Sequence, residues 1–271
     1  MNLVDNKVII CSLASGSNGN AYYIAFNDEA ILIDCGITYR QLTTRARRQG
    51  VDLRTIKHVF ITHEHSDHVR GLRGLTEHCD CTCYMTRGTA EKSKSWYLPE
   101  NPPIAIHYGD ITEVGPFRVH CFQKPHDVKE PCSFRVEVNG INIGVFTDIG
   151  APCDELKAHL HECHAAFLES NYDVDMLWAG KYPLMLKQRV TCGTGHLSNV
   201  QSAQLVADVD APHLHTIILS HISEHNNHPH IAKKAFERFG DKYKVLTASR
   251  YEAGPVFIIS EDNSEEIKRP L

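Results

Sequence analysis

The stretch Phe60-Ile61-Thr62-His63-Glu64-His65-Ser66-Asp67-His68 decides how the chain reads. An apolar run ends, and four groups able to ligate a metal follow within six positions. His63 and His65 stand two apart, so in an extended segment they share a direction. Asp67 and His68 come after a tight turn and can face a second point a few ångströms away. That spacing suits two adjacent ions, which in hydrolases sit roughly 3.5–4 Å apart. A polar, solvated loop would account for one histidine pair. It does not account for His-x-His-x-Asp-His at a strand end, where imidazole and carboxylate are the ligands a catalytic metal takes.

Outward from this stretch, short apolar segments bounded by turn residues predict strands over Val8 to Leu13, Ala21 to Phe26, Ala30 to Ile33 and His58 to Thr62. Thr38 to Gln49 reads as a basic helix stopped by Gly50, and Val69 to His78 as a second helix. Strands return at Cys81 to Met85, Phe117 to Phe122, Ser133 to Val138, Ile141 to Thr147 and Ala165 to Glu169. A helix over Asn199 to Asp208, a strand over Thr216 to Ser220 and a helix over Pro229 to Phe239 follow, and strands at Lys244 to Thr247 and Pro255 to Ile259 close the pattern. Two groups of strands, each followed by helices, suit two sheets packed face to face and covered by helices. No repeat or Gly/Ser linker divides the chain, so residues 1–260 read as one domain and 261–271 as a charged tail.

Composition narrows the classes. The 271 residues carry a net charge of −5, so a polyanionic substrate has to be attracted by metals and a local basic patch. Eighteen histidines favour metal or acid–base chemistry. Ten cysteines in a chain of this length read as reduced core residues, and Cys79-Asp80-Cys81-Thr82-Cys83 lacks the paired C-x-x-C spacing of a structural zinc site. No run of 18 apolar residues exists, and the start Met1-Asn2-Leu3-Val4-Asp5 lacks a basic, apolar leader, so no membrane contact and a cytoplasmic location are expected.

The His63-x-His65-x-Asp67-His68 motif resembles the signature of the metallo-β-lactamase superfamily, and the resemblance extends over nearly the whole chain. It implies an α/β fold, the αββα sandwich of two mixed sheets with helices on both outer faces. It also implies the remaining ligands: His126 in Lys124-Pro125-His126-Asp127, Asp148 in Phe146-Thr147-Asp148, and His221 in Leu219-Ser220-His221. His120 competes with His126, but strand parity favours the loop position. By this resemblance His63, His65 and His126 hold a first divalent ion, Asp67, His68 and His221 a second, and Asp148 bridges them. With no cysteine in the set, zinc, manganese and iron all remain open, zinc or manganese foremost.

Further segments resemble the YycJ/WalJ group of that superfamily: Ser15-Gly16-Ser17-Asn18-Gly19-Asn20, Glu169-Ser170-Asn171-Tyr172-Asp173, Tyr182-Pro183 with Leu186 to Arg189, Gly195-His196-Leu197-Ser198-Asn199, and His221-Ile222-Ser223 leading to Asn226-Asn227. That group implies 5′ to 3′ exonuclease action on DNA with a link to mismatch repair. Read on their own terms, Ser17 and Asn18 lie in a loop that either approaches a phosphate or is a plain tight turn. Lys187 and Arg189, with Lys181, either neutralise phosphates or form a solvated face, and Asn199 is a further substrate-binding candidate. His196 is the candidate proton donor and Asp67 can orient the attacking water. Arg40, Arg45, Arg47 and Arg48 form a stronger basic stripe, either a further surface for phosphates or, slightly favoured, a solvated helix face. Rival readings are a cyclic-nucleotide phosphodiesterase, an RNA nuclease, a thioester, lactone or β-lactam hydrolase, and a metal-binding regulator without turnover. The sequence is silent on oligomeric state.

Overall fold

Successive side chains leave opposite faces of a strand, so one sheet can serve two cores at once. The strand β1 (Val8–Ala14) does so: all its residues are buried, Val8 and Ile10 to one side, Ile9 and Cys11 to the other. The computed structural model describes residues 6–93 and 102–267; residues 1–5 of the expected leaderless start and 268–271 of the expected tail lie outside the described residues. After β1 come β2 (Ala21–Phe26), β3 (Glu29–Ile33), β4 (Ile56–Phe60), β5 (Thr82–Met85) and β6 (Ile104–Ala105). The second sheet takes β7 (Ile111–Val114), β8 (Phe117–Gln123), β9 (Cys132–Val138), β10 (Ile141–Phe146), β11 (Ala165–Glu169), β12 (Thr216–Ser220) and β13 (Lys244–Thr247). Then β14 (Phe257–Ile259) and β15 (Ser264–Glu266) return to the first.

The strand orders are β15-β14-β1-β2-β3-β4-β5-β6 and β13-β12-β11-β10-β9-β8-β7. Both sheets are mixed: β3, β4 and β5 run parallel, as do β10 through β13, and the remaining pairs of β1, β2, β8 and β9 are antiparallel. Between the sheets Ile24, Phe60, Phe134, Val145 and Phe167 interdigitate. Burial of each of these large side chains stabilises by about 2 kcal/mol. The outer face of the first sheet is covered by α1 (Tyr39–Arg48), α2 (Ser66–Val69) and α3 (Leu72–His78), through Leu42, Ala46, Val69, Leu72 and Leu75. After the short α4 (Arg87–Lys92), α5 (Asp154–His161), α6 (Val174–Ala179), α7 (Leu184–Thr191), α8 (Asn199–Asp208) and α9 (Pro229–Lys234) belong to the second half. Leu156, Leu160, Leu205, Val206 and Ala232 from α5, α8 and α9 cover the second sheet. The expected αββα sandwich is therefore the fold found.

Local differences from the sequence expectations have identifiable causes. The single helix expected over Val69 to His78 is two, α2 and α3. Gly71 breaks it by giving its N–H to Cys35 O at 2.7 Å, and a Cβ at Gly71 would lie 1.9 Å from Ile37 O. The helix expected to Phe239 ends at Lys234, and a tighter 3₁₀ segment follows, with Gly240 at φ 55. Within the expected tail, Ser264–Glu266 pairs with β14 as an edge strand. Arg45 is not solvated with Arg40, Arg47 and Arg48: it is buried, and its guanidinium donates to Leu13 O at 3.0 Å, Arg250 O at 3.1 Å and Tyr251 O at 2.9 Å. All ten cysteines are free thiols, and Cys79, Cys81 and Cys83 are core and rim residues as expected. Among the described residues no helix is long and apolar enough to cross a membrane.

Under α5, His159 stacks on Phe122 at 4.1 Å and receives Arg135 Nε at 3.1 Å. Burial first, and then the Arg135 charge, push His159 down to about 4, and burial first, then His213, does the same to His164. A histidine ordinarily titrates near 6.5, so between about 6.5 and 4 the unfolded chain binds protons that the native one refuses, and stability falls as pH is lowered through that window. The urea midpoint is expected to drop between pH 6.5 and pH 4, and to drop less steeply in His159→Gln; an unchanged slope in the variant would remove His159 from this account.

Candidate metal centre

Strand ends at one rim of the two sheets build the site, outside the carboxyl ends of parallel strands where α/β sheets place ligands. His63, His65, Asp67 and His68 follow β4, His126 follows β8, Asp148 follows β10, and His221 follows β12. Asp34, Asp148 and His221 hold φ of 61, 55 and 53, a left-handed backbone uncommon for non-glycine residues and typical of functional sites. In each case the strand has just ended, so the chain reverses while its side chain stays at the rim.

Four overlapping groups of ligand atoms result among the described residues, each within 4.8 Å of one another: His63, His65 and His126; Asp67, His68 and His221; and, sharing Asp148, His63 with His68 and Glu169 with His196 and His221. Asp148 stands between the first two, with Oδ2 3.1 Å from His68 Nε2 and Oδ1 3.8 Å from His126 Nε2. The free ring nitrogens follow from what the other nitrogen contacts, the rule by which an outer partner fixes a metal-binding tautomer. His68 Nδ1 gives its proton to Asp34 Oδ2 at 2.7 Å, and His126 Nδ1 gives its proton to Gly195 O at 3.2 Å. His221 Nδ1 donates to Glu169 Oε1 at 3.0 Å. His126 Nε2, His221 Nε2 and Asp148 Oδ2 are buried and have no hydrogen-bond partner among the described residues. Buried polar atoms are rarely left so, and two divalent cations fit this donor set.

Electrostatics agree with that fit. Burial lowers His63, His65 and His126, the last to about 4, so this group is neutral and ready to coordinate. At His68 and His221 burial also opposes charge. It is outweighed at His68 by Asp34, Asp148 and Asp67, and at His221 by Asp148, Asp67 and Glu169, which raise His221 to about 10. Without cations, protons neutralise this carboxylate cluster, and metal binding displaces them.

Two residues were not identified as site residues in the sequence. Asp34, fully buried, also receives Thr62 N at 2.8 Å and so fixes the turn into the motif. Glu169, fully buried, accepts from His196 Nδ1 at 2.9 Å and His221 Nδ1 at 3.0 Å with one oxygen, and from the backbone N–H of Ile149 and Leu197 at 2.8 and 3.2 Å with the other. Burial disfavours its charge, but His196 and His221 hold it down to about 2. The readable signal was an acid closing an apolar strand, as at Asp148.

The centre opens on a cleft of about 320 Å³. Of the sequence candidates for substrate contact, Ser17, Arg189 and His196 line it, as does Asp67. Arg189 is paired there with Asp127 at 2.5 Å. Three candidates are engaged elsewhere. Asn18 Nδ2 donates to Arg250 O at 2.9 Å, and Lys187 Nζ donates to Trp178 O at 2.6 Å. Asn199 is buried and exchanges hydrogen bonds with Asn227 at 3.0 and 2.8 Å, besides accepting from Ser170 at 2.6 Å. Their amide and ammonium groups tie loops together, which leaves them no part in the cleft lining. Sequence reasoning passed over Ser223 and Asn226, which line the cleft. His120 lies apart, against Glu137 at 3.2 Å and Arg135 at 3.2 Å.

Gly36 presses on the back of the motif: a Cβ there would stand 1.6 Å from Asp67 O and 2.7 Å from Asn20 N. Backbone cannot yield as a side-chain tip can, so Gly36→Ala is expected to destabilise by at least about 2 kcal/mol and to lower the bound metal from two equivalents. Gly193, whose Cβ would meet nothing within 4 Å, provides the control. Metal content after dialysis and thermal midpoints of both alanine variants check this, and a Gly36→Ala protein holding two tight equivalents would refute it.

Residues 29–222 match the Beta-lactamase superfamily domain. Among curated proteins, the chain is 29% identical to "Exodeoxyribonuclease YycJ" of Bacillus anthracis over 251 residues, 92% of this chain and 93% of that one. It is 28% identical to "Exodeoxyribonuclease WalJ" of Streptococcus pneumoniae over 219 residues, 79% of this chain and 81% of that one. Among solved structures, the metallo-β-lactamase fold protein YhfI from Bacillus subtilis superposes with a TM-score of 0.72 at 15% identity, covering 92% of this chain and 99% of that one, a likeness of fold. With the matched domain, the sandwich and the paired ligand groups in agreement, the chain belongs to the metallo-β-lactamase superfamily and is a metal-dependent hydrolase.

Proposed function

We propose that this hydrolase cleaves phosphodiester bonds, acting as a 5′ to 3′ DNA exonuclease in DNA repair. The observation that carries the reading is the Glu169–His196 pair beside the ligand groups. Glu169 accepts a hydrogen bond from His196 Nδ1–H at 2.9 Å, so that in the imidazolium form Nε2–H is left to donate to a substrate oxygen. The His196 side chain is one-fifth exposed on the cleft. A histidine so oriented can protonate a leaving oxygen, a contribution typically on the order of 10²–10⁴ in rate. The names of the two exodeoxyribonuclease relatives support DNA as the substrate.

When bound, two divalent ions, zinc or manganese foremost, supply Lewis acidity and a water that ionises near neutral pH. Around them the chain's own residues have distinct roles. His63, His65 and His126 would hold the first ion and Asp67, His68 and His221 the second, with Asp148 standing between the two groups. Asp67 orients the attacking water, and Arg189 and Ser17 face the phosphate. The cleft wall combines the polar Ser17, Asn171, Ser223 and Asn226 with the apolar Leu186 and Val190, so the choice of a phosphodiester over a thioester, lactone or β-lactam rests on the Glu169–His196 pair and the relatives' names rather than on the polarity of the wall.

End-labelled duplex DNA incubated with Mn²⁺, Zn²⁺ or EDTA tests the reading. Metal-dependent shortening from the 5′ end is expected, absent in Asp67→Ala. His196→Gln is expected to retain two equivalents of metal while kcat falls by about 10²-fold or more. Metal-loaded wild type that leaves DNA intact but hydrolyses cyclic nucleotides would move the substrate to small phosphodiesters.

A further inference from the structure

Beyond the catalytic cleft, and sharing the buried Ser223 with it, lies a second cavity of about 320 Å³. The loop after β12 and the segment that follows β13 enclose it, with Asn227, His228, Ser249, Arg250 and Tyr251 among its walls. None of the roles assigned above uses this space. Its size is at the lower end of the range of small-molecule sites, enough for one nucleotide unit.

Its walls combine the groups such a unit needs. Arg250 carries a buried Nε with no hydrogen-bond partner among the described residues, while its Nη2 lies 3.3 Å from Glu224 Oε2. A guanidinium with an unused donor is suited to a phosphate, which it can grip in bidentate fashion. The Tyr251 ring, 69% exposed, offers a stacking face at the edge, and its hydroxyl donates to Glu224 Oε1 at 2.8 Å. The segment is held in place from behind: Arg45 donates to the carbonyls of Arg250 and Tyr251 at 3.1 and 2.9 Å, and Asn18 to that of Arg250 at 2.9 Å. Backbone pinned by a buried guanidinium is the kind of support a precise binding group needs. The buried Arg45 and the amide of Asn18 thereby set the position of the second cavity's wall.

We propose that this cavity binds the 5′-terminal nucleotide of the substrate strand, with Arg250 on its 5′-phosphate and Tyr251 against its base. The proposal rests on the phosphodiesterase reading and extends it by naming what occupies the space beside the cleft. Glu224 then acts as a competitor: its carboxylate occupies Arg250 until a phosphate replaces it.

The test is calorimetric titration of the metal-loaded protein with thymidine 5′-monophosphate, thymidine and inorganic phosphate. Alongside it, digestion rates are compared on duplexes with 5′-phosphate and 5′-hydroxyl ends. The monophosphate is expected to bind at least about tenfold more tightly than either fragment, and Arg250→Met to lose about tenfold of that affinity together with the 5′-phosphate preference. Glu224→Gln, a change at an exposed side chain, is expected to tighten the monophosphate. Phosphate binding as tightly as the nucleotide, or an affinity unchanged in Arg250→Met, would overturn the assignment. DNA digestion without nucleotide binding would overturn the cavity alone. Arg250-dependent nucleotide binding by a protein inert on DNA would retain the cavity and overturn the exonuclease reading.

Discussion

Burying negative charge at one rim of the sandwich is the constraint on which the rest of the structure depends. Asp34, Asp148 and Glu169 are buried at strand ends, with Asp67 beside them at the cleft. An isolated carboxylate in such surroundings would lose several kcal/mol of solvation, so each must meet a cation or a proton donor. Histidines meet that demand from one side: His68 contacts Asp34, Asp67 and Asp148, and His221 contacts Asp67, Asp148 and Glu169. Divalent ions meet it more fully, since they also suit the Nε2 atoms of His126 and His221, which make no hydrogen bond among the described residues. Fold and metal are thus coupled: the ions stabilise the arrangement that binds them.

The same constraint sorts the histidines by role. Where carboxylates surround a ring, at His68 and His221, the metal-free protein holds it protonated; where they are scarcer, at His63 and His126, burial keeps it neutral. Glu169 couples the two sides of the site, since one oxygen contacts both His221 Nδ1 and His196 Nδ1. A change at Glu169 therefore acts on metal and substrate together. The left-handed backbone at Asp34, Asp148 and His221 is the conformational cost of aiming three strand-end side chains into one space.

Support extends well past the ligands. Asn20 accepts Gly16 N at 3.0 Å and places its amide 3.0 Å from His68 Nε2, while Gly36 N donates to Asn20 O at 2.8 Å. The Ser15 to Asn20 loop thus reads as metal-loop scaffolding, with Ser17 alone of its two substrate candidates on the cleft. On the far side, Asn199 and Asn227 knit the start of α8 to the loop after β12. Asn199 and Asn227 thus brace the site from behind the cleft lining.

By itself the sequence determined the candidate ligand motif at His63 to His68 and the order of the layers, while His126, Asp148 and His221 came only from the family resemblance. Local chemistry suffices for that: His63 to His68 carry their spacing in six consecutive residues, apolar runs report strands such as Thr216–Ser220, and Ser198 with Gln201 encodes the cap of α8. Tertiary structure decided which polar groups face the chemistry, because that depends on partners far along the chain. Arg45 stands in a basic stripe in sequence, yet its guanidinium meets carbonyls 205 and 206 residues away. Glu169 becomes a site residue only when β11 sets it between His196 and His221, 27 and 52 residues on. Asn18, Lys187 and Asn199 have the right chemistry for a phosphate, but their amide and ammonium groups are hydrogen-bonded to backbone or amide partners away from the cleft lining, on which Arg189 stands beside Asp127.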